Sequence, residues 1–391
     1  MKEIYLDNNA TTKVDEAVFE EMRPYFCDLY GNPSSMHYFG GQVQKKVDEA
    51  RQRVAALIGA HPEEIIFTAC GTESDNSAIR SALEVFPNRR HVITTRVEHP
   101  AVLTPCRGLV KHGYRVTELN VDSEGRLDLA ELKSSIDENS AIASIMYANN
   151  ETGVVFPIEE IGQLVKEKGA LFHSDAVQAV GKIPLDMAAS SIDMLSLSGH
   201  KLHAPKGIGI LYVRKGVPFR PYLVGGHQEK SRRAGTENTA SIIALGKACE
   251  IAAEYMEDEN SRVREMRDRL QRELLRLIPA SRINGGEAER LPNTLSIAFE
   301  FVEGELILLY LSELGICASS GSACTSGSLE PSHVLRAMGV PFTCAHGSIR
   351  FSLSRFTTEE EIDAVIRDLP PIIRRGREMS PFGRDLLKQQ G

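Results

Sequence analysis

Several absences narrow the possibilities before any motif is considered. No window of the chain approaches the roughly 20 consecutive apolar residues of a membrane span, and the opening MKEIYLDNNATT holds no apolar run of signal-peptide length. A cytoplasmic protein without a membrane partner is expected. There is no excess of basic charge: 45 Lys+Arg stand against 53 Asp+Glu, a formal charge of −8, which argues against a broad nucleic-acid footprint. The seven cysteines, at 27, 70, 106, 249, 317, 324 and 344, include no CxxC pair and no short regular spacing, which fits neither a disulfide framework nor a structural zinc site. Their number is odd, so at least one thiol is free. Internal repeats are missing, and the one low-complexity tract is a small-residue stretch after residue 317.

What remains is an ordinary folded chain, 42% hydrophobic and 25% charged, whose 391 residues suit about two or three domains. β-branched runs predict strands at Glu64–Thr68, His91–Thr95, Arg115–Leu119, Ala141–Tyr147, Leu171–Ser174, Met194–Leu197 and Ile208–Val213. Amphipathic stretches at Ser74–Phe86, Pro100–His112 and Ile158–Lys168 lie between several of them. Such βαβ alternation predicts an α/β domain with a mainly parallel sheet covered by helices. Past about Ser231 the texture changes. A charged-faced helix over Ser261–Leu277, strands at Thr294–Phe299 and Ser348–Leu353, and helices at Glu303–Leu314 and Thr358–Leu369 predict a smaller α+β domain. The expected division is 16–260 for the large domain, with 1–15 and 261–391 forming the small one.

Chemistry gathers at the predicted strand ends. Met194–Leu197 runs into SGHKLHAPKG, so Lys201 leaves a buried strand into a Gly/Pro-rich turn, where desolvation lowers a lysine's pKa toward the range in which its amine is nucleophilic. Alone, Lys201 reads as a turn lysine, and His200 with His203 supplies only half of a tetrahedral metal set. Its company changes the reading. Asp175 ends a neighbouring strand, where α/β sheets place ligands and where a carboxylate can keep the pyridine nitrogen of pyridoxal phosphate protonated. Upstream, Glu64–Thr68 leads into CGTESDN and a helix, so Gly71, Thr72 and the helix N-terminus form a phosphate cup.

With these blocks go YLDNNATT at 5–12, GNPSS at 31–35, EHPAV at 98–102, ANNETG at 148–153, HSDAVQAVGK at 173–182, RRAGTEN at 232–238, SSGSACTSGSLEPSHV at 319–334 and SIRFSLSR at 348–355. Together they span nearly the whole chain, and the chain resembles the cysteine desulfurases of NifS type. The resemblance implies a fold like that of aspartate aminotransferase, a homodimer with active sites at the subunit interface, and pyridoxal 5'-phosphate as cofactor. It implies that Lys201 carries the cofactor, that Asp175 pairs with the pyridine nitrogen and that Gln178 hydrogen-bonds the ring hydroxyl. His99 would stack on the ring and handle protons, with Asn150 on the substrate side. Gly71, Thr72, Ser198 and His200 would bind the phosphate, joined by Thr236 from the other subunit. Arg350 would hold the substrate carboxylate, a task suited to a guanidinium fork, although alone it reads as a strand-edge ion pair.

Cys324 stands out without the family. ASSGSACTSGS at 318–328 holds only small residues, offers nothing to pin it and predicts a mobile loop. About five flexible residues reach on the order of 12 Å, enough to deliver a thiol. The implied activity removes sulfur from L-cysteine, yielding L-alanine and a persulfide on Cys324. That sulfur would pass to an iron–sulfur scaffold protein, nitrogenase assembly included, and the persulfide can serve as a transient cluster ligand. An aminotransferase or a selenocysteine lyase is the rival on the same fold, separated by alanine formation from cysteine and selenocysteine. A non-catalytic Cys/His metal scaffold predicts bound metal and no visible cofactor absorption.

Overall fold

The computed structural model describes residues 3–320 and 331–390. Its strands are β1 (Ile4–Tyr5), β2 (Ile65–Thr68), β3 (His91–Thr95), β4 (Arg115–Leu119), β5 (Ser140–Ser144), β6 (Leu171–Asp175), β7 (Met194–Ser198), β8 (Gly209–Val213), β9 (Ser281–Ile283), β10 (Thr294–Phe299), β11 (Ile316–Cys317) and β12 (Ser348–Ser352). Strands β2 to β8 form one sheet in the order β2-β8-β7-β6-β5-β3-β4. Only β8 runs against its neighbours, so β2 and β7 point the same way as the parallel block β7-β6-β5-β3-β4. The expected mainly parallel sheet is present, and all seven predicted strands fall in it. The run to Tyr147 ends as a regular strand at Ser144, yet its bonding persists: Ile145 N–H donates to His173 O and Tyr147 N–H to Asp175 O.

Every strand from β5 to β8 is buried throughout, and successive side chains serve opposite faces. Ile65, Phe67, Leu195 and Leu197 enter one apolar cluster, while Ile66, Met194 and Leu211 enter another beneath the helices Gly71–Val85 and Pro100–Leu109. The first cluster also takes in the helices Tyr38–Leu57 and Thr239–Asp258, neither of which the periodicity announced. The second of these is buried on most of its circumference, from Ala240 to Ala252, so it has no polar stripe to reveal its period. Gly246 lets it approach closely, since a Cβ there would lie 2.6 Å from Ala50 Cα.

A third cluster gathers Leu6, Val263, Leu270, Leu295, Ile297, Phe351 and Ile373 around the sheet β12-β10-β9. Residues Val334, Leu335, Met338 and Ala345 pack instead with the first cluster. One expected boundary is corrected: the helix predicted to stop at Leu369 runs over Glu359–Met379, through Pro370 and Pro371. Proline costs a helix a hydrogen bond. Burial of Ile372 and Ile373, with Arg377 donating to Glu300 O and Ala280 O, carries the helix past it. Between Thr239–Asp258 and the helix Arg264–Leu277 lies a π turn, Glu259–Val263, where a plain helical start was expected.

Candidate active site

The parallel strands end on one edge of the sheet, and the candidate residues leave from those ends. Gly71 follows β2, His99 follows β3, Asn150 follows β5, Asp175 closes β6, Ser198 closes β7 and Lys201 lies in the turn after it. A cavity of about 420 Å³ collects them, lined by Gly71, Thr72, His99, Asn150, Asp175, Gln178, Ser198, His200, Lys201 and Arg350. Thr236 is exposed and lines a different hollow with Phe67, Gly207 and Asn238. Within one chain it does not join the others. Cys324 lies outside the described residues, but both flanks of its segment meet the cavity. Ser319 pairs with Arg350 through two backbone hydrogen bonds, and Pro331 and His333 are lining residues.

Lys201 Nζ donates to the carbonyls of Asn9 at 2.5 Å and Ala10 at 2.7 Å. Those carbonyls belong to an N-terminal segment that sequence reasoning quoted but left without a role, because a backbone oxygen has no residue signature. Opposite, Asp175 Oδ1 accepts from Val177 N–H at 2.9 Å. Burial raises the Asp175 pKa, against the pull of His99, the Val177 N–H and Lys201. A carboxylate so placed gains most from a cationic hydrogen-bond donor, which a pyridinium N–H supplies. His99 caps the Pro100–Leu109 helix: its Nδ1 accepts from Ala101 N–H at 3.1 Å, which leaves the proton of the neutral ring on Nε2. Burial lowers the His99 pKa, outweighing the Asp175 carboxylate, while Lys201 and His333 lower it further.

The Gly71–Val85 helix begins without a side-chain cap, so its first N–H groups are left to a ligand. A Cβ at Gly71 would sit 2.9 Å from Val177 Cγ2, filling the cradle. Arg350, 2% exposed, donates from Nη1 to Asn150 O at 2.9 Å and from Nη2 to Asp7 Oδ1 at 2.8 Å; its buried Nε has no hydrogen-bond partner among the described residues. It is therefore both the ion pair and the cavity-lining residue that the sequence offered as alternatives. His200 and His203 do not converge as metal ligands: His200 Nδ1 meets Thr11 Oγ1 and His203 Nδ1 meets Lys13 O. Unclaimed amides, a buried carboxylate, an amine and an unpartnered guanidinium nitrogen fit pyridoxal phosphate with an amino acid beside it.

A buried layer unseen in the sequence backs these groups. Asp75, on the Gly71–Val85 helix, lines the cavity; its Oδ1 lies 3.6 Å from His173 Nε2 and has no hydrogen-bond partner among the described residues, and burial, with Asp175 nearby, raises its pKa well above the usual range. His173 bridges Ser144 Oγ and Ser196 Oγ, and burial holds its pKa down at about 3. Glu98 accepts from Thr95 Oγ1 and Met146 N–H, and burial pushes it up to about 8. Of the other cysteines, burial raises Cys106 and Cys249 to about 12 and Cys344 to about 11, whereas Cys70 is half-buried and lines the cavity and Cys27 is exposed.

Residues 4–365 match the model of the aminotransferase class-V family. A cysteine desulfurase of Nostoc sp. is 63% identical over 98% of this chain and 96% of its own length. The cysteine desulfurase NifS of Azotobacter vinelandii is 58% identical, covering 98% of this chain and 95% of that protein. Among solved structures, a NifS-like protein superposes with a TM-score of 0.89 at 41% identity, over 95% of this chain and 99% of that one.

Proposed function

The chain belongs to the class-V aminotransferase family, among its NifS-type cysteine desulfurases, and from that premise we propose how its own cavity carries out the reaction. The protein is a cysteine desulfurase that removes sulfur from L-cysteine and leaves L-alanine, supplying sulfur for iron–sulfur clusters. One observation supports the assignment of roles above all: Lys201, Asp175 and His99, from separate strand ends of one sheet, and Arg350, from the middle of β12, line a single cavity.

Enzymes of this family work with pyridoxal 5'-phosphate, which when bound supplies an electron sink for the substrate α-carbon. Lys201 would hold it, Asp175 would keep its ring nitrogen protonated, Gln178 would hydrogen-bond the ring oxygen, and His99 would stack on the ring. Gly71, Thr72, Ser198 and His200 receive the phosphate, with Thr236 of a second copy completing the cup in a homodimer. Arg350, with Asn150 beside it, holds the substrate carboxylate. Once released, the Lys201 amine takes the α-proton. The Cys324 thiolate attacks the substrate sulfur, an S–S bond forms, and the C–S electron pair stays with the carbon skeleton. Protonation of the β-carbon through His99 Nε2 and return of the α-proton from the Lys201 amine would yield alanine. The persulfide sulfur then passes to an iron–sulfur scaffold protein, with Cys324 as a transient cluster ligand.

Two substitutions separate the roles. Lys201→Ala abolishes the borohydride-reducible link between cofactor and protein, whereas Cys324→Ala keeps it but shows no added sulfur by mass spectrometry after exposure to L-cysteine. Persulfide formation at the normal rate in Cys324→Ala would overturn the nucleophile assignment.

A further inference from the structure

A second lysine is buried behind Lys201. Lys182, 5% exposed, ends the QAVGK turn after β6 and takes no part in the scheme above. Its Nζ donates to Gln178 O and to Gln178 Oε1, both at 3.1 Å. At its other end the amide donates from Nε2 to Asn9 O at 3.0 Å, the carbonyl that also receives Lys201.

These contacts fix the amide from two sides. An ammonium has only donors and a carbonyl only lone pairs, so Gln178 must turn its oxygen to Lys182 and its nitrogen to Asn9. That orientation leaves Nε2 with one unspent hydrogen beside the cavity. A buried ammonium is costly to keep without compensation, so a structural lysine here is poorly explained by packing alone. Its surroundings are charged on several sides. Lys201 and Arg350 oppose its proton, while Glu259 favours it; His203 and Arg355 line the same small hollow. Burial, the largest influence, draws the Lys182 pKa down to about 7. Glu259 and Asn260 are presented by the π turn, a distortion that concentrates at functional sites: Asn260 Nδ2 donates to Lys182 O at 2.8 Å, and Glu259 lies 3.6 Å from Arg355 Nη1.

We propose that Lys182 is a positioning residue that locks the Gln178 amide so that an N–H, and not the carbonyl, meets the ring oxygen of the cofactor. This rests on the reading of Gln178 given above. A donor there favours the negatively charged form of that oxygen. Removing Lys182 leaves Gln178 Oε1 buried without its donor and the amide held from one side only, by Asn9 O, so the N–H is no longer locked in place beside the cavity.

The test is the pH titration of the visible absorption of the holoenzyme, compared among the unaltered protein, Lys182→Met, Gln178→Ala and the double variant. We expect Lys182→Met to raise the midpoint by about one unit, the equivalent of one hydrogen bond. The same substitution should have no further effect in the Gln178→Ala background. A shift that persists undiminished in the double variant would mean that the lysine charge acts directly on Lys201, and would overturn the proposal, as would an unmoved midpoint in Lys182→Met. A midpoint unmoved by Gln178→Ala alone refutes the reading of Gln178 itself, and the proposal falls with it. If Lys182→Met does not fold, side-chain ¹⁵N resonances of glutamine in the unaltered holoenzyme decide. The Gln178 signal must move as Lys182 loses its proton, and a signal constant across that range overturns the lock.

Discussion

Replacing Arg350 by lysine keeps the charge and removes the fork. In the structure Nη1 and Nη2 are engaged by Asn150 O and Asp7. A substrate carboxylate held by Arg350 would therefore share the guanidinium fork with these two partners. A lysine cannot reproduce this, because one ammonium must choose between Asp7, Asn150 O and the substrate. A hydrogen bond to a charged group is worth about 1.5–3 kcal/mol, and each 1.4 kcal/mol is a factor of ten, so KM for L-cysteine should rise on the order of 10- to 150-fold. Because the carboxylate is held equally in ground and transition states, kcat should change much less. Alanine formation across a range of L-cysteine concentrations measures both. Asp7→Asn is the companion variant: it breaks the ion pair but leaves the fork, so it should lower the melting temperature without raising KM. The reasoning is refuted if Arg350→Lys lowers kcat at unchanged KM, or if Asp7→Asn raises KM as much as Arg350→Lys does.

Glu98 gives a pH prediction. Its pKa is raised in the folded protein, so the stability it contributes is complete below the unfolded value near 4.5 and is lost as pH rises through about 8. Glu98→Gln removes that loss. Its melting temperature relative to the unaltered protein should climb steadily with pH over that window, by an amount on the order of several kcal/mol in stability at the alkaline end; parallel melting curves would refute this. Gly71→Ala places a methyl group 2.9 Å from Val177 Cγ2, in the cradle where the phosphate is proposed to sit. Titration of the cofactor-free variant with pyridoxal phosphate should show at least about tenfold weaker binding, the effect of roughly 1.4 kcal/mol, with the melting temperature of the free protein nearly unchanged. Equal affinity would place the phosphate elsewhere.

The residues whose chemistry is local were legible in the sequence. Lys201, Asp175 and Gly71 stand at or shortly after short apolar runs, so the strand pattern located both the residue and the edge of the sheet to which it belongs. Arg350 was legible as two alternatives because its fork is wide enough to satisfy both. What escaped depends on distant chain segments. Asn9 and Ala10 act through carbonyls, and nothing in their side chains reports that Lys201 lies against them. Asp75, His173 and Lys182 matter through burial, which a helix or turn position does not reveal until the other layer is in place. Pro370 and Pro371 signalled a helix end for a sound local reason, and the packing of Ile372, Ile373 and Arg377 overrode it.

The N-terminal segment has a consequence for the order in which the molecule comes into being. Ile4 pairs with Ile316, Asn8 Nδ2 donates to Ser352 O across 344 positions, and Asn9 and Ala10 seat Lys201. These early residues therefore wait for partners more than 300 positions further along before they can be placed. Contacts this distant in sequence are slow to form, because loop closure precedes any reward. The sheet can assemble earlier, since β2 to β8 are complete by Val213. The lysine seat is tied down only once residue 352 has been made, which links readiness to receive a reactive aldehyde to synthesis of the strands that anchor the N-terminal segment.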